Sequence, residues 1–242
     1  MKKYKIMGAN CFQVETIDSS KRYIKSLIAN SQGGYSTAIN AEKIMMYSKD
    51  IQMKDIIDNS ILPIPDGSGA VIGMKFLHGI SSIRLDLPKT IFELANEQKY
   101  NLFILGSGEE INVKAVEKLK EKYPNIDIVG RKNGYFETEE EIINLIELTK
   151  PQIVMVALGS PKQEKFAAKI NKTLPNILFI GCGGALDILA GKITRAPKFF
   201  QDNHIEWLYR LILEPKRITR QKILPIYLFK LITETIKRKL IK

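Results

Sequence analysis

The sequence of 242 residues predicts an α/β protein, with an open, Rossmann-like, mostly parallel sheet, helices on both faces and a C-terminal helical appendage. Short apolar, β-branched runs alternate with stretches of helical periodicity, as crossover connections between parallel strands require. No repeat or low-complexity tract interrupts this alternation. The length suits one large domain with an addition. We therefore divide the chain into a Rossmann-like core, 1–194, and a C-terminal helical appendage, 195–242.

The elements follow from the pattern in order. Strands are predicted at 34–39, 101–105, 126–129, 153–158 and 177–180. Helices are predicted at 109–123, 139–150 and 161–173, with another beginning near Asn40. Pro161 suits a first helical position because its missing N–H costs nothing there. A short apolar stretch, 61–64, leads into a Pro-Asp-Gly turn.

Four polar or glycine-containing loops come at or near the ends of these apolar runs: 37–42 (TAINAE), 65–69 (PDGSG), 106–108 (GSG) and 159–164 (GSPKQE). In open parallel sheets, ligands bind outside the carboxyl ends of the strands. We therefore expect these loops to line a single crevice.

Asp66 in the 65–69 loop has two interpretations. It can cap the next helix by accepting a backbone N–H, with the glycines allowing a tight turn. Alternatively, its carboxylate is a general base that removes a proton from an acceptor hydroxyl.

The 159–164 loop opens a helix, and backbone N–H groups at a helix N-terminus favour phosphate. Lys162 and Gln163 could also donate to a ligand, whereas Glu164 could merely complement the helix dipole. Gly106-Ser107-Gly108 is a partial dinucleotide fingerprint without its third glycine, and Asp127 falls inside or before the next strand. An NAD-dependent or other nucleotide-dependent enzyme is therefore a rival hypothesis.

The segment 181–220 is rich in glycine and arginine. Gly183 allows close backbone approach after a strand. Its arginines are suited to bidentate phosphate binding, and they are Arg195, Arg210, Arg217 and Arg220. Pro215 is expected to kink or restart the helix there. Trp207 and Tyr209 are expected to anchor the core or an interface.

The sequence lacks the residue patterns that disulfide frameworks, histidine-activated nucleophiles and metal sites require. Cys11 and Cys182 form no disulfide framework and fit a reduced, cytosolic compartment. His78 and His204 have no paired nucleophile, and no Asp-x-Asp pair is present to hold Mg²⁺ or Mn²⁺. We expect no metal and no cofactor.

The basic charge is concentrated at the C-terminal end. Residues 216–242 carry nine Lys or Arg and one Glu, and so supply eight of the eleven net positive charges. Aliphatic residues are interleaved with these charges, which favours an anionic membrane surface over nucleic acid. From Pro225 onward a helix would form a stripe of Leu228, Phe229, Ile232, Ile236 and Leu240. The opposite side would carry Lys230, Thr233, Glu234 and Lys237.

No apolar run is long enough to span a membrane, and the N-terminus lacks a signal peptide's apolar core. We expect peripheral attachment to the inner face of the cell membrane. The alternative is a stripe packed on the protein's own core or on another subunit, so a homo-oligomer is possible.

Five blocks together resemble the WecG/TagA/CpsF family, glycosyltransferase family 26. They are TAINAEKIMM, PDGSG, GSPKQEK, GGALDILAGKITRAP and IEWLYRLILEPKR, in order from about Gly34 to Arg220.

The resemblance implies an inverting, metal-independent transferase. Such an enzyme moves a sugar of the N-acetylmannosamine type from a UDP-sugar to an undecaprenyl-diphosphate-linked sugar, for teichoic acid, capsule or exopolysaccharide. It implies Asp66 as base, Asn40 and Gln163 at the substrate, and Arg210, Arg217 and Arg220 at the diphosphate. Taken together with the loops, the predicted substrate-binding residues are Thr37, Asn40, Arg84, Gln163, Glu164, Gly183, Arg195, Arg210, Arg217 and Arg220.

Two departures affect specificity, and the alternative is therefore a transferase of the same family that uses another UDP-hexose or a UDP-uronic acid. Many family members have Thr where this chain has Ala38, with Thr37 and Ser36 nearby. The segment after the Pro-Asp-Gly helix is shortened, and Arg84 and Asp86 can fill the family positions there. A second rival hypothesis is a non-catalytic membrane-surface module, which would have no use for Asp66 or the arginines.

Overall fold

The computed structural model describes residues 1–194, 196–202, 206–213 and 222–240. The strands are β1 (Lys3–Ile6), β2 (Ala9–Phe12), β3 (Gly34–Ile39), β4 (Leu62–Pro65), β5 (Asn101–Gly106), β6 (Asp127–Lys132), β7 (Ile153–Ala157) and β8 (Leu178–Gly181). The helices are α1 (Ile17–Ala29), α2 (Ala41–Tyr47), α3 (Ile51–Asn59), α4 (Ser68–His78), α5 (Leu87–Gln98), α6 (Glu109–Lys122), α7 (Glu139–Thr149), α8 (Lys162–Ile170), α9 (Ala185–Leu189), α10 (Lys198–Asp202), α11 (Glu206–Leu213) and α12 (Ile223–Leu240).

Six of the strands form one sheet in the order β4-β3-β8-β7-β5-β6. Every neighbouring pair in it is parallel, which confirms the predicted α/β fold class. The carboxyl ends of all six strands therefore lie at one edge. Strands β7 and β8 come last in sequence but sit in the middle of the sheet, between β3 and β5.

Helices cover both faces of the sheet, as predicted. On β5, Leu102 and Ile104 belong to one hydrophobic core, whereas Phe103 and Leu105 belong to the other. Helices α1, α5, α6 and α9 contribute to the first core, and α2, α3, α7, α8 and α12 contribute to the second. This division follows from right-handed crossovers, because connections that run in opposite directions along the sheet lie on opposite faces.

The predicted boundaries differ from the observed ones by one to three residues in most elements. Strand β6 ends at Lys132 rather than at 129, and α8 begins at Lys162 with Pro161 as its N-cap. We did not predict the hairpin of β1 and β2. Its turn places Met7 and Gly8 at φ +48° and +96°. Positive φ at both central positions is the geometry of a tight hairpin turn.

Helix α12 packs on α2 and α4 through a face other than the predicted stripe. Tyr227 and Leu231 are buried, and the Tyr227 hydroxyl donates to the Gly69 carbonyl at 2.7 Å. The stripe residues Leu228, Phe229, Ile232, Ile236 and Leu240 are all exposed. Thus the described part of the protein does not cover this stripe. None of its helices is long and apolar enough to cross a membrane.

Candidate active site

Asp66 and Asn40 follow neighbouring strands. The Asp66 N–H donates to the Ile39 carbonyl at 2.8 Å, so the pairing of β3 with β4 continues to the last residue before Asn40. The first turns of α2 and α4 also touch, because a β-carbon on Gly69 would lie 3.0 Å from that of Ala41. The structure therefore brings together the first two blocks of the predicted site.

The side chain of Asp66 is exposed at this edge. The N-cap of α4 is Gly67, and it makes no side-chain cap hydrogen bond. Asp66 is thus not the N-cap residue that one interpretation of the sequence required. Asn40 does cap α2, since its Oδ1 accepts the Lys43 N–H at 3.0 Å.

Arg84 lies in the loop between α4 and α5. This loop returns along β4, because the Leu85 N–H donates to the Pro65 carbonyl at 3.2 Å. Leu85 is thus hydrogen-bonded to Pro65, the residue directly before Asp66. Arg84 directly precedes Leu85 and is half-buried. Asp86 caps α5 by accepting the Lys89 N–H.

Gln163 and Gly183 link the ends of β7 and β8. The Gly183 N–H donates to Gln163 Oε1 at 3.2 Å, and Gln163 is almost fully buried. Space around this amide is tight, since a β-carbon on Gly181 would lie 2.7 Å from Gln163 Nε2. Gly183 itself has φ +45°, a left-handed conformation that favours glycine.

Lys43 and Glu164 form a buried ion pair between α2 and α8. Lys43 Nζ lies 2.6 Å from Glu164 Oε1, with side-chain exposures of 4% and 2%. Lys43 Nζ also donates to the Ala38 carbonyl at 3.0 Å, and Gln163 Nε2 donates to Glu164 Oε1 at 3.4 Å. We did not single out Lys43 from the sequence. The available signal was a lysine directly before the apolar run Ile44–Met46.

Two fully buried oxygen atoms have no hydrogen-bond partner among the described residues: Thr37 Oγ1 and Glu164 Oε2. Thr37 lies two residues from both Tyr35 and Ile39 on β3, and residues two apart on a strand share a face. It therefore faces the same core as α8. This location favours an indirect role for Thr37 and Glu164, beneath the surface at which a substrate binds. Their assignment as substrate-binding residues stays a prediction.

Four residues that are predicted to act at the substrate come after four adjacent strands. Asp66 follows β4, Asn40 follows β3, Gly183 follows β8 and Gln163 follows β7, in the spatial order of the sheet. At about 4.8 Å between strands, these four ends span about 14 Å. An edge of this width can hold an extended ligand such as a nucleotide with an attached sugar.

The GSG loop follows the next strand, β5, and has a different character. Glu109 and Glu110 occupy the first turn of α6. Hydrogen bonds from Asn133 and Arg131 lower the pKa of Glu109, so this helix N-terminus carries a carboxylate where a dinucleotide phosphate would bind. Asp127 is the first residue of β6, at the opposite edge of the sheet. This arrangement disfavours the NAD hypothesis.

An exposed aromatic residue stands beside the GSG loop. Tyr135 is 82% exposed, although its N–H is fixed by Asn133 Oδ1 at 2.9 Å. The neighbouring Gly134 N–H donates to the Ser107 carbonyl at 2.8 Å, which ties the two loops together. We did not single out Tyr135 from the sequence.

Part of the predicted site lies in residues that the structure does not describe. Arg195, Arg217 and Arg220, and the side chains of Arg210 and Trp207, lie outside the described residues. Tyr209 does contact the aromatic ring of Phe200, with the ring centroids 5.2 Å apart, and so anchors α11 to α10.

The described residues at this edge do not favour a cysteine nucleophile or a metal site. Burial raises the pKa of Cys182 to about 12, so this thiol is protonated at neutral pH and is a poor nucleophile. In the ranges that the structure describes, no three His, Cys, Asp or Glu side chains converge as metal ligands. Metal independence stays a prediction.

Comparison with known proteins gives the family. The family model described as "Glycosyl transferase WecG/TagA/CpsF family" matches residues 4–240. The chain belongs to this family. It is therefore a glycosyltransferase, as the five sequence blocks predict.

Two relatives carry the name N-acetylglucosaminyldiphosphoundecaprenol N-acetyl-beta-D-mannosaminyltransferase. The one from Bacillus subtilis (strain 168) is 32% identical over 217 residues, which cover 88% of this chain and 83% of the relative. The one from Bacillus spizizenii is 30% identical over 200 residues, covering 81% and 78%. The similarity thus extends over most of both chains.

Proposed function

We propose that this glycosyltransferase moves an N-acetylmannosamine-type sugar from a UDP-sugar to an undecaprenyl-diphosphate-linked sugar. The product serves the synthesis of a cell-surface polysaccharide such as teichoic acid, capsule or exopolysaccharide. The observation that carries the proposal is the convergence of Asp66, Asn40, Gly183 and Gln163 on four adjacent strand ends, in a chain similar to the two mannosaminyltransferases.

Asp66 is the proposed general base. Its exposed carboxylate takes the proton from the acceptor hydroxyl as that oxygen attacks the anomeric carbon. The new glycosidic bond forms as the bond from the anomeric carbon to the phosphate oxygen breaks. UDP leaves from the opposite side, so the anomeric configuration inverts.

The departing diphosphate needs stabilisation, since it gains negative charge as the bond breaks. Backbone N–H groups at the start of α8 and the nearby amide of Gln163 are suited to this role. The arginines at 195, 210, 217 and 220 are proposed to add guanidinium groups. Preorganised donors of this kind commonly contribute about 3 kcal/mol each to transition-state stabilisation.

We also propose that the enzyme attaches peripherally to the inner face of the cell membrane through α12. The exposed apolar stripe of this helix and the basic charge of residues 216–242 suit an anionic lipid surface. A lipid-linked acceptor would then reach the site from the membrane.

The test is a transfer assay with the full chain. UDP-N-acetylmannosamine, other UDP-hexoses and a UDP-uronic acid are each supplied with a short-chain polyprenyl-diphosphate-linked N-acetylglucosamine, and UDP and glycolipid are quantified. We expect transfer from the first donor. Transfer only from another UDP-sugar would change the donor assignment, and no transfer from any of them would refute the proposal.

Asp66→Asn is the matched variant. It keeps the size of the side chain and removes the base, so we expect an unchanged melting temperature and a loss of turnover of about 10²- to 10⁴-fold. An Asp66→Asn enzyme with wild-type turnover would remove Asp66 from the mechanism.

A further inference from the structure

The buried ion pair of Lys43 and Glu164 lies next to the candidate site, and the proposed reaction requires no direct substrate contact from either residue. Both side chains are at least 96% buried. Taking two charges out of water is costly, and an apolar pair of similar size is often as stable or more stable. Stability of the fold therefore does not by itself explain why these positions are charged.

Lys43 holds the end of β3 in two ways. Its backbone N–H donates to Asn40 Oδ1 at 3.0 Å, the N-cap bond of α2. Its Nζ donates to the Ala38 carbonyl at 3.0 Å and lies 2.6 Å from Glu164 Oε1. A single residue thus connects the first block of the site to the block after β7.

Glu164 continues this connection to the end of β8. Its Oε1 accepts from Gln163 Nε2 at 3.4 Å, while Gln163 Oε1 accepts the Gly183 N–H at 3.2 Å. A glutamine amide has donor and acceptor ends of nearly equal size, and its neighbours select the orientation. A carboxylate on one side and an N–H on the other select one orientation of Gln163.

We propose that Lys43 and Glu164 are positioning residues that hold Gln163, and the end of β3 that precedes Asn40, in the arrangement that sugar transfer requires. The proposal rests on the proposed function. Neither residue touches the substrate: Glu164 acts through its hydrogen bond to Gln163, and Lys43 acts through Glu164 and the Ala38 carbonyl. The chain Ala38–Lys43–Glu164–Gln163–Gly183 keeps the ends of β3, β8 and β7 in a fixed relation.

The test removes both charges together. In Lys43→Met/Glu164→Met, two apolar side chains of similar length replace the pair, so no uncompensated charge stays buried. We expect a melting temperature close to that of the wild type and a kcat/KM for the UDP-sugar lowered about 10- to 100-fold, because displacement of a contact by about 1 Å has effects of this size. UDP affinity, measured by calorimetry, is expected to fall as well.

A comparison with Gln163→Leu separates positioning from a general structural role. If the ion pair acts through Gln163, the triple variant Lys43→Met/Glu164→Met/Gln163→Leu has the same kcat/KM as Gln163→Leu alone, or nearly so. Additive losses would show that the pair acts elsewhere and would overturn the proposal. Lys118→Gln/Glu121→Gln, which removes an exposed pair on α6, is the control and should leave kcat/KM unchanged.

A second variant keeps the proposal testable if the double methionine variant does not fold. Gly181→Ala leaves the ion pair intact but places a β-carbon 2.7 Å from Gln163 Nε2, so the flexible amide must move. We expect a small change in melting temperature and a clear loss of kcat/KM. Wild-type kcat/KM in Gly181→Ala, or in a folded Lys43→Met/Glu164→Met, would overturn the proposal. An inactive wild-type enzyme would instead refute the proposed function.

Discussion

Substitutions on the two faces of α12 are expected to have opposite effects on membrane binding and on stability. Phe229, Ile232 and Ile236 on the outward face are 69%, 48% and 52% exposed, whereas Tyr227 and Leu231 are buried against α2 and α4. We predict that replacing the three outward residues by serine weakens membrane binding without destabilising the fold.

The magnitude follows from the exposed area. Full burial of such a side chain contributes about 1.5–3 kcal/mol, and roughly half of each is available for burial in lipid, so each supplies about 1 kcal/mol. The triple variant should lose about 3 kcal/mol, or about 100-fold in membrane partitioning. The basic residues stay in place and keep the electrostatic attraction to anionic lipid.

The assay is co-sedimentation with phosphatidylglycerol vesicles, together with thermal unfolding. Ile17→Ser/Leu148→Ser is the control, because both residues are exposed but lie on α1 and α7. Tyr227→Ala should instead lower the free energy of unfolding by about 3–5 kcal/mol, as for other large core residues. Wild-type sedimentation of the outward triple variant would refute the membrane role of the stripe.

Three further predictions concern single features. Thr37→Val removes a buried hydroxyl that has no partner among the described residues, so the free energy of urea unfolding should rise by about 1 kcal/mol with kcat/KM unchanged. A loss of kcat/KM would instead place this hydroxyl at the substrate, as the sequence predicts. Desolvation raises the pKa of Asp58, but hydrogen bonds from Lys54 and Tyr47 outweigh it and lower the pKa. Asp58 therefore stabilises the fold at neutral pH, and this contribution is lost as pH falls through its folded-state pKa. Urea unfolding should show that Asp58→Asn is less stable than wild type at pH 7 and that the difference shrinks as the pH falls below about 4, the ordinary pKa of Asp; a difference that does not shrink in acid would contradict this. Activity should survive dialysis against EDTA, and strict dependence on added Mg²⁺ or Mn²⁺ would reveal a metal site.

The sequence alone was sufficient for much of the fold, because helices and strands leave a local period in the chain. Gly34–Ile39 was predicted to the residue, and Asn40 was placed at the start of α2, where it is the N-cap. The N-terminal hairpin was missed because its strands are only four residues long, too short for a clear alternation.

Much of the candidate site was also predictable, since its residues come in loops directly after strands. Asp66, Asn40 and Gln163 could be assigned to one edge as soon as the sheet was taken as parallel. Lys43 could not, because a lysine in the first turn of a helix carries no sign of its partner, and Glu164 lies 121 residues away. Tyr135 was missed because exposure is not a property of the sequence alone.

The sequence by itself determined which residues form strands, which loops follow them and where the basic charge lies. The tertiary structure decided the strand order, and so placed the end of β8 beside that of β3. It also decided which face of α12 is buried, since Tyr227 finds the Gly69 carbonyl while the predicted stripe faces outward. The physical reason is that periodicity is a local property, whereas the order of strands and the choice of a packed face depend on contacts between distant segments.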